Sequence, residues 1–230
     1  LLLDVKNKRW HRDMLEICGI KETQLPRLYE SYDAVGTLLD SVKKELQLSD
    51  RVTVCAGAGD NAAAAIGTGT IKDGDCNVSL GTSGTVFISN DAFSVDDKNA
   101  LHSFAHANGK YHLMGCILSA ASCNAWWMEN VLKTTEFSAE QRGADKLRGK
   151  NDLFFLPYLM GERSPHNDTN ARGAFIGLRP TTTRTQMTLA VMEGVAFALK
   201  DCVEVAKANG AKISSTRICG GGSKSPLWRQ

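Results

Sequence analysis

Residues 52–69 read V-T-V-C-A-G-A-G-D-N-A-A-A-A-I-G-T-G, and the interpretation of the fold starts from this stretch. Its β-branched start predicts a short strand, its glycines predict a turn, and its alanine run predicts a helix. Ligands of α/β folds bind beyond the carboxyl ends of strands, where Asp60 and Asn61 would face them. Gly57 and Gly59 lack side chains, so a ligand could approach the backbone there. Asp and Asn are also favoured helix N-caps, so capping and catalysis are both open from this stretch alone.

Bulk composition restricts the kind of partner. The chain has 230 residues, enough for one large domain or for parts of two. Its 27 basic and 25 acidic residues give a net charge of +2, without the basic excess of a nucleic-acid-binding surface. No apolar run could span a bilayer, and Leu1–Leu3 is too short for a signal-peptide core. We therefore expect a cytoplasmic protein with neither a nucleic-acid nor a membrane partner.

The cysteines and the chain ends give two further expectations. Seven cysteines occur without a C-x-x-C pair, which predicts reduced and mostly buried thiols rather than a disulfide framework or a zinc site. The sequence starts inside a predicted strand without an initiator Met, and it stops at 225–230 where a helix would begin. We therefore expect it to be part of a longer protein.

A β-hairpin with an unusual tip is predicted after the Asp60 stretch. Gly81, Thr82, Ser83 and Gly84 separate two strand-like apolar runs, as the tip of a hairpin does. Such a tip offers backbone N–H groups and hydroxyls without side-chain bulk, which suits the binding of phosphate oxygens. A plain tight turn is the alternative interpretation.

A second hairpin is predicted at Asn108-Gly109, a dipeptide typical of hairpin turns. His102 and His106 come before it, four residues apart. On a strand this spacing corresponds to about 13 Å, too far for both side chains to bind one metal ion. We therefore interpret these histidines as structural.

Three helices are predicted in the second half of the chain. The segment 119–133 contains Trp126 and Trp127, interpreted as core residues, and a more polar helix is predicted over 138–147. The longest helix is predicted over 184–208, where apolar residues recur at helical spacing.

Two polar segments follow predicted strands. The run G-E-R-S-P-H-N-D at 161–168 comes after a buried apolar run at 152–158, and it is either a self-neutralised surface loop or the lining of a site. The run G-G-G-S-K-S-P at 220–226 follows a strand predicted within 213–219. The sequence has no P-loop motif and no G-x-G-x-x-G after a strand. The remaining interpretation is a nucleotide site assembled from separate glycine-rich loops.

Taken together, these motifs resemble the FGGY family of carbohydrate kinases over nearly the whole chain. Each short motif is weak, but the combination is specific. The segments that carry the resemblance are A-G-A-G-D-N-A-A at 56–63, S-L-G-T-S-G-T at 79–85, F-L-P-Y-L-M-G-E-R-S-P-H at 155–166, G-A-F-I-G-L at 173–178, Q-M-T-L-A-V-M-E at 186–193 and G-G-G-S-K-S-P-L-W at 220–228.

The resemblance implies an α/β fold of the actin-like, ribonuclease H-like ATPase class, with two domains and an interdomain cleft for ATP and sugar. Residues 1–72 would be the C-terminal part of the first, sugar-binding domain. Residues 73–230 would be most of the second, nucleotide-binding domain. The first domain would be incomplete, so we expect the 230-residue segment alone to be inactive.

The resemblance also implies roles for individual residues. Asp60 would be the catalytic base, and Asp60 and Asn61 would contact the sugar. Thr82 would be the hairpin residue nearest the phosphates. The residues expected to bind ATP are Gly81, Thr82, Ser83 and Gly84 at the phosphates and Gly221, Gly222 and Ser225 at the adenosine.

The implied reaction is ATP-dependent phosphorylation of a ketopentose, with D-xylulose as the first choice. A sugar hydroxyl is a poor nucleophile, which explains the need for an oriented carboxylate. Mg²⁺ is implied with ATP, but no protein metal ligands are predicted because Mg²⁺ usually keeps waters and binds substrate phosphates. Alternatives are another ketose, a sugar acid or a polyol as substrate, or an actin-like ATPase module whose output is conformational. Kinases of this family are often dimers, so a homodimer is compatible with the resemblance.

Overall fold

The computed structural model describes residues 2–230, which form a mixed α/β structure. Its helices are α1 (Arg12–Ile17), α2 (Asp40–Glu45), α3 (Asp60–Gly67), α4 (Ala121–Ala125), α5 (Phe137–Glu140) and α6 (Arg184–Ala208). Its strands are β1 (Leu3–Asp4), β2 (Arg9–Trp10), β3 (Ala34–Thr37), β4 (Thr53–Cys55), β5 (Asp75–Leu80), β6 (Gly84–Asn90), β7 (His102–Ala105), β8 (Tyr111–Ile117), β9 (Phe154–Leu156), β10 (Ala174–Ile176) and β11 (Ser215–Cys219).

A five-stranded sheet organises the larger part of the chain, in the order β11-β5-β6-β8-β7. Both predicted hairpins are confirmed, because β5 pairs with β6 and β7 pairs with β8 in antiparallel register. β11 lies parallel to β5 at the edge of the sheet, with Ser215 opposite Asp75 and Cys219 opposite Ser79. Because the two strands are parallel, β11 and β5 end at the same end of the sheet, and the loop after β11 therefore lies beside the β5–β6 turn.

Helix α6 covers one face of this sheet, and its predicted bounds of 184–208 are confirmed. Val191, Val195 and Cys202, spaced four and seven residues apart, are fully buried. A capping box fixes the helix start: the Gln186 N–H donates to the Thr183 hydroxyl (3.3 Å), and the Thr183 N–H donates to the Gln186 side-chain oxygen (2.8 Å). The long helix thus follows directly from local sequence.

The segment predicted as a helix over 119–133 is α4 followed by a π-helix over Trp126–Val131. Trp127 is buried, and its indole N–H donates to the Thr188 hydroxyl of α6 at 2.9 Å. Trp126 stacks on Phe155 of β9 with ring centroids 6.1 Å apart. The interpretation of the Trp pair as core is confirmed.

Two predictions were wrong in detail. The helix expected over 138–147 is interrupted by Gly143, which has a left-handed φ of +78°, and only α5 and a 3₁₀ turn at Ala144–Leu147 form. The cysteines are all free, but they are not mostly buried. Cys18 and Cys55 are exposed, while Cys76, Cys123 and Cys202 lie in the core.

The first 70 residues carry smaller elements, including the two-stranded sheets β1–β2 and β3–β4. All three residues of β4 are exposed, and the β-branched Thr53 and Val54 within it are typical of a strand. Helix α3 follows β4 after a glycine-containing turn, as predicted. Within residues 2–230, no helix has the length and apolar character required to cross a membrane.

Candidate functional site

The tip of the β5–β6 hairpin is held by backbone contacts and presents its hydroxyls to solvent. Leu80 pairs with Gly84 across the turn. The carbonyls of Gly81 and Thr82 accept hydrogen bonds, each 2.9 Å long, from the N–H groups of residues 121 and 120. The side chains of Thr82 and Ser83 are exposed. A fixed backbone with outward-facing hydroxyls is suited to contact an anion such as a phosphate.

The glycine-rich loop after β11 lies directly on this hairpin. Gly220 has a φ of +85°, and a β-carbon at this position would lie 2.6 Å from the Leu80 carbonyl carbon and 2.9 Å from the Gly81 nitrogen. Gly222 is also tightly packed, since its β-carbon would lie 2.8 Å from the Leu80 side chain. Two of the three glycine-rich strand ends predicted from the sequence therefore form one surface.

A cavity of about 370 Å³ opens beside this surface. Gly221, Gly222 and Ser225 line it, and the Ser225 hydroxyl donates to the side-chain oxygen of Gln141 at 2.7 Å. The remaining lining residues are Ala121, Asn124, Ala125, Phe137, Ser138, Gln141, Lys224, Pro226 and Trp228.

Asn124 is a lining residue that sequence reasoning missed. Its side chain is buried, and its Oδ1 atom has no hydrogen-bond partner among the described residues. A buried polar atom without a partner is costly, which is typical of a position that a ligand or water completes. The only sequence signal was an amide within the mostly small and apolar run 120–128.

Asp60 lies in the first turn of α3 and is exposed. Its carboxylate accepts the N–H of Asn61 at 2.8 Å, and the Asn61 side-chain amide lies 3.2 Å from the same oxygen. Neither residue is the N-cap, which corrects one of the two interpretations of this stretch. The N-cap is Gly59, whose backbone is extended and which has no side chain to form a cap bond. Asp60 is the first residue inside the helix. A carboxylate there is still favoured by the helix dipole.

The described contacts do not join Asp60 directly to the hairpin tip at Gly81–Gly84. The connection from α3 to β5 is itself fixed in place: the buried His106 ring donates through Nε2 to the Thr70 carbonyl at 3.0 Å. The His106 Nδ1 accepts the Ala107 N–H at 2.7 Å, so the proton lies on Nε2. The Asn108 side chain also donates to the Ile71 carbonyl.

Comparison with known proteins identifies the family. Residues 76–230 match the model of the C-terminal domain of the FGGY family of carbohydrate kinases, and residues 1–67 match that of its N-terminal domain. The chain belongs to the FGGY family of carbohydrate kinases.

Curated relatives named xylulose kinase match this chain over 99–100% of its length. That of Escherichia coli (strain K12) is 40% identical over 231 residues, which are 99% of this chain and 47% of the relative. That of Bacillus subtilis (strain 168) is 34% identical over 100% of this chain and 46% of the relative. The chain therefore spans about half the length of the curated relatives it matches.

Solved FGGY structures confirm the predicted fold class. A xyloylose kinase from Brucella ovis has a TM-score of 0.92 and 41% identity, covering 99% of this chain and 47% of that protein. A xylulose kinase from Lactobacillus acidophilus has a TM-score of 0.88 and 28% identity, covering 99% and 47%. At 21% identity, a Plasmodium falciparum glycerol kinase with ADP shows only the shared fold, with a TM-score of 0.85 over 100% of this chain and 46% of that protein.

The polar loop at 161–168 differs from the self-neutralised surface loop that the sequence permitted. Glu162 and Ser164 are buried, and Glu162 forms no ion pair within residues 2–230. Arg163 instead donates through Nε to His102 at 3.0 Å, and Tyr158 hydrogen-bonds His166 at 3.0 Å. The loop thus packs against the end of β8 rather than lying free on the surface.

Within the described residues 2–230, neither the thiols nor the acidic side chains form a cluster that could be a metal centre. Burial raises the pKa of the Cys123 and Cys202 thiols to about 12, so both stay protonated at neutral pH. Residues 2–230 contain no group of three or more His, Cys, Asp or Glu side chains that could hold a metal ion.

Proposed function

We propose that the full-length protein catalyses ATP-dependent phosphorylation of a ketopentose, and that it converts D-xylulose to D-xylulose 5-phosphate. The contact of Gly220 with Leu80 and Gly81 carries the nucleotide part of this proposal, because it joins two glycine-rich loops beside one cavity. Membership of a carbohydrate kinase family supports the reaction class. The names of the curated relatives support the choice of sugar.

The nucleotide would bind across the sheet edge that carries these two loops. Gly221, Gly222 and Ser225 are proposed to hold the adenosine in the cavity, where the unpartnered Asn124 oxygen offers an acceptor to the base. The hairpin Gly81–Gly84, including Thr82 and Ser83, would then receive the phosphates. Fixed N–H groups and hydroxyls stabilise charge that develops during transfer without reorganising at that moment.

Asp60 is proposed as the general base, with Asn61 beside it on the sugar. The Asp60 carboxylate would accept the proton of the sugar hydroxyl while that oxygen attacks the γ-phosphorus. The bond from the γ-phosphorus to the bridging oxygen breaks, and ADP leaves. An exposed carboxylate without a cationic partner in the described residues is free to accept this proton.

We propose that Mg²⁺ enters with ATP, bound to the ATP phosphates and to water molecules. No described side chain is assigned to the ion, since residues 2–230 offer no ligand cluster, and no step above depends on it.

The wider organisation is also proposed. Residues 1–72 would be the end of the sugar-binding domain and 73–230 most of the nucleotide-binding domain, which the two matched ranges support. We further propose a cytoplasmic enzyme whose substrates are a sugar and ATP, without a nucleic-acid or membrane partner, and a homodimer as its assembly. The 230-residue segment alone is proposed to be inactive.

A panel of acceptors tests the reaction and its substrate. ADP release by the full-length protein would be followed with D-xylulose, a second ketopentose, gluconate, glycerol, and no acceptor. We expect the highest kcat/KM for D-xylulose and little ADP release without acceptor. Preference for gluconate, glycerol or another ketose would reject the choice of sugar. Release of ADP independent of any acceptor would instead support an ATPase module with a conformational output.

A further inference from the structure

Glu162 is a buried carboxyl group without a role in the proposed chemistry. Only 1% of its surface is exposed. Its Oε1 atom accepts two backbone hydrogen bonds, from the N–H of Leu118 at 3.0 Å and from its neighbour Arg163 at 2.7 Å. Its Oε2 atom is buried and has no partner among the described residues. Such a residue needs an explanation, because burying a carboxyl group is costly.

The bond from Glu162 to Leu118 holds the turn between β8 and α4. The next residue of the loop contributes as well, since the Ser164 N–H donates to the Cys116 carbonyl at 3.1 Å. Residues 116–118 are therefore bound on one side by the loop at 162–164. The hydroxyls of Ser119 and Ser164, residues next to or near Leu118 and Glu162 in sequence, are also buried without partners among the described residues.

On its other side, the same turn supports the proposed phosphate hairpin. The N–H groups of Ala120 and Ala121 donate to the carbonyls of Thr82 and Gly81, each at 2.9 Å, and the Ser122 hydroxyl donates to the Thr82 carbonyl at 2.8 Å. Gly84 packs so closely that its β-carbon would lie 3.0 Å from Ala120. The position of the hairpin is therefore set by residues 120–122.

We propose that Glu162 is a positioning residue that sets the place of the Gly81–Gly84 hairpin by anchoring Leu118. This rests on the proposed function, in which the hairpin receives the phosphates of ATP. The carboxyl group acts as a hydrogen-bond acceptor here and needs no charge. Consistent with that, burial raises its pKa and favours the neutral acid, although the two N–H donors oppose the shift.

The substitutions Glu162→Ala and Glu162→Gln in the full-length protein distinguish a displaced Gly81–Gly84 hairpin from a general loss of stability. Alanine removes the acceptor, whereas glutamine keeps an oxygen at the same reach. Asp96→Ala is the matched control, because Asp96 is equally buried and accepts the N–H groups of Ala100 and Leu101, at 2.6 and 3.0 Å, away from the hairpin.

Hydrogen exchange and kinetics are the two readouts. We expect Glu162→Ala to speed amide exchange in 79–86 and 118–122, and to lower kcat/KM for ATP about 10- to 100-fold. Glu162→Gln should restore both to within about threefold of wild type. Asp96→Ala should lower stability without speeding exchange in those two segments.

Two results would overturn the proposal: hairpin exchange in Glu162→Ala that matches the Asp96→Ala control, or a glutamine variant as impaired as the alanine variant. If the wild-type protein phosphorylates no sugar, the proposed function fails, but the exchange data still test the positioning role. Should Glu162→Ala not fold, Ser122→Ala removes a hydrogen bond to the same hairpin from a less buried position. Unchanged hairpin exchange in that variant would contradict the support role of the turn.

Discussion

Gly220 packs against the peptide between Leu80 and Gly81, which lies far from it in sequence, and this contact leaves no room for a side chain at Gly220. A β-carbon at Gly220 would lie 2.6 Å from both the carbon and the oxygen of the Leu80 carbonyl. This contact joins the loop proposed for adenosine to the loop proposed for phosphate.

The first prediction concerns the variant Gly220→Ala. Gly210→Ala is its control, because Gly210 has a similar φ of +87° but nothing within 4 Å of a β-carbon. The control should lose about 1–2 kcal/mol of unfolding free energy from backbone strain alone. Gly220→Ala should lose about 1–3 kcal/mol more, because overpacking is added and because the Gly220 ψ of 173° lies in a region that essentially only glycine adopts. Urea denaturation of the full-length variants measures both losses. Equal losses in the two variants would show that Leu80 and Gly81 leave room for a methyl group at Gly220.

The second prediction concerns the proposed base. Asp60→Asn keeps the size of the side chain and an oxygen that can accept the Asn61 N–H, but it removes the proton acceptor. We expect kcat to fall about 100-fold or more while the melting temperature and the KM for ATP stay close to wild type. Since Gly59 is the N-cap, loss of a cap cannot account for such a fall. A fully active Asn variant would return Asp60 to a structural role.

The third prediction concerns the cavity beside the glycine loops. Asn124→Ala removes a buried oxygen that has no partner among the described residues, so it should weaken ADP binding about five- to tenfold by loss of one hydrogen bond. Asn151→Ala is the matched control, since the Asn151 oxygen is likewise buried and unpartnered but does not line the cavity. Calorimetry with MgADP on the full-length protein measures both. Equal affinities in the two variants would exclude Asn124 from the nucleotide site.

The fourth prediction concerns acid stability. His112 is buried between the rings of Phe87 and Phe104, and this burial, with a smaller contribution from His106, lowers its pKa from 6.5 to about 3. Between these values the unfolded chain binds a proton that the folded chain does not. The stabilising contribution is therefore complete above pH 6.5 and is lost as the pH falls toward 3.

His112→Phe removes this titration and keeps a ring in the stack. From pH 7 to pH 5, the wild-type protein should lose about 2 kcal/mol more unfolding free energy than the Phe variant. His11→Gln, at an exposed position, is the control and should behave like wild type. Parallel pH profiles for wild type and His112→Phe would show that the imidazole does not carry the acid sensitivity.

Local sequence determined the elements that carry the site. Asn108-Gly109 and the Gly81–Gly84 tip each fixed a hairpin, since turns of this kind need residues that accept left-handed or unhindered backbone. Apolar residues at helical spacing predicted α6 over about 184–208, and the Thr183 capping box begins it there. The family could also be recognised from sequence, because its motifs occur at several separated positions in one order.

Tertiary structure alone decided how these pieces meet. The parallel pairing of β11 with β5 brings Ser215 opposite Asp75, and nothing local to either strand encodes that partner. The same holds for Glu162: its sequence context allows either a self-neutralised surface loop or the lining of a site, and only the fold brings its carboxyl group to the Leu118 N–H. Periodicity and turn chemistry act over a few residues, whereas burial and hydrogen-bond partners depend on which distant segments pack together. The sequence therefore predicted the loops, and the fold decided that two of them form one surface and which buried side chains support it.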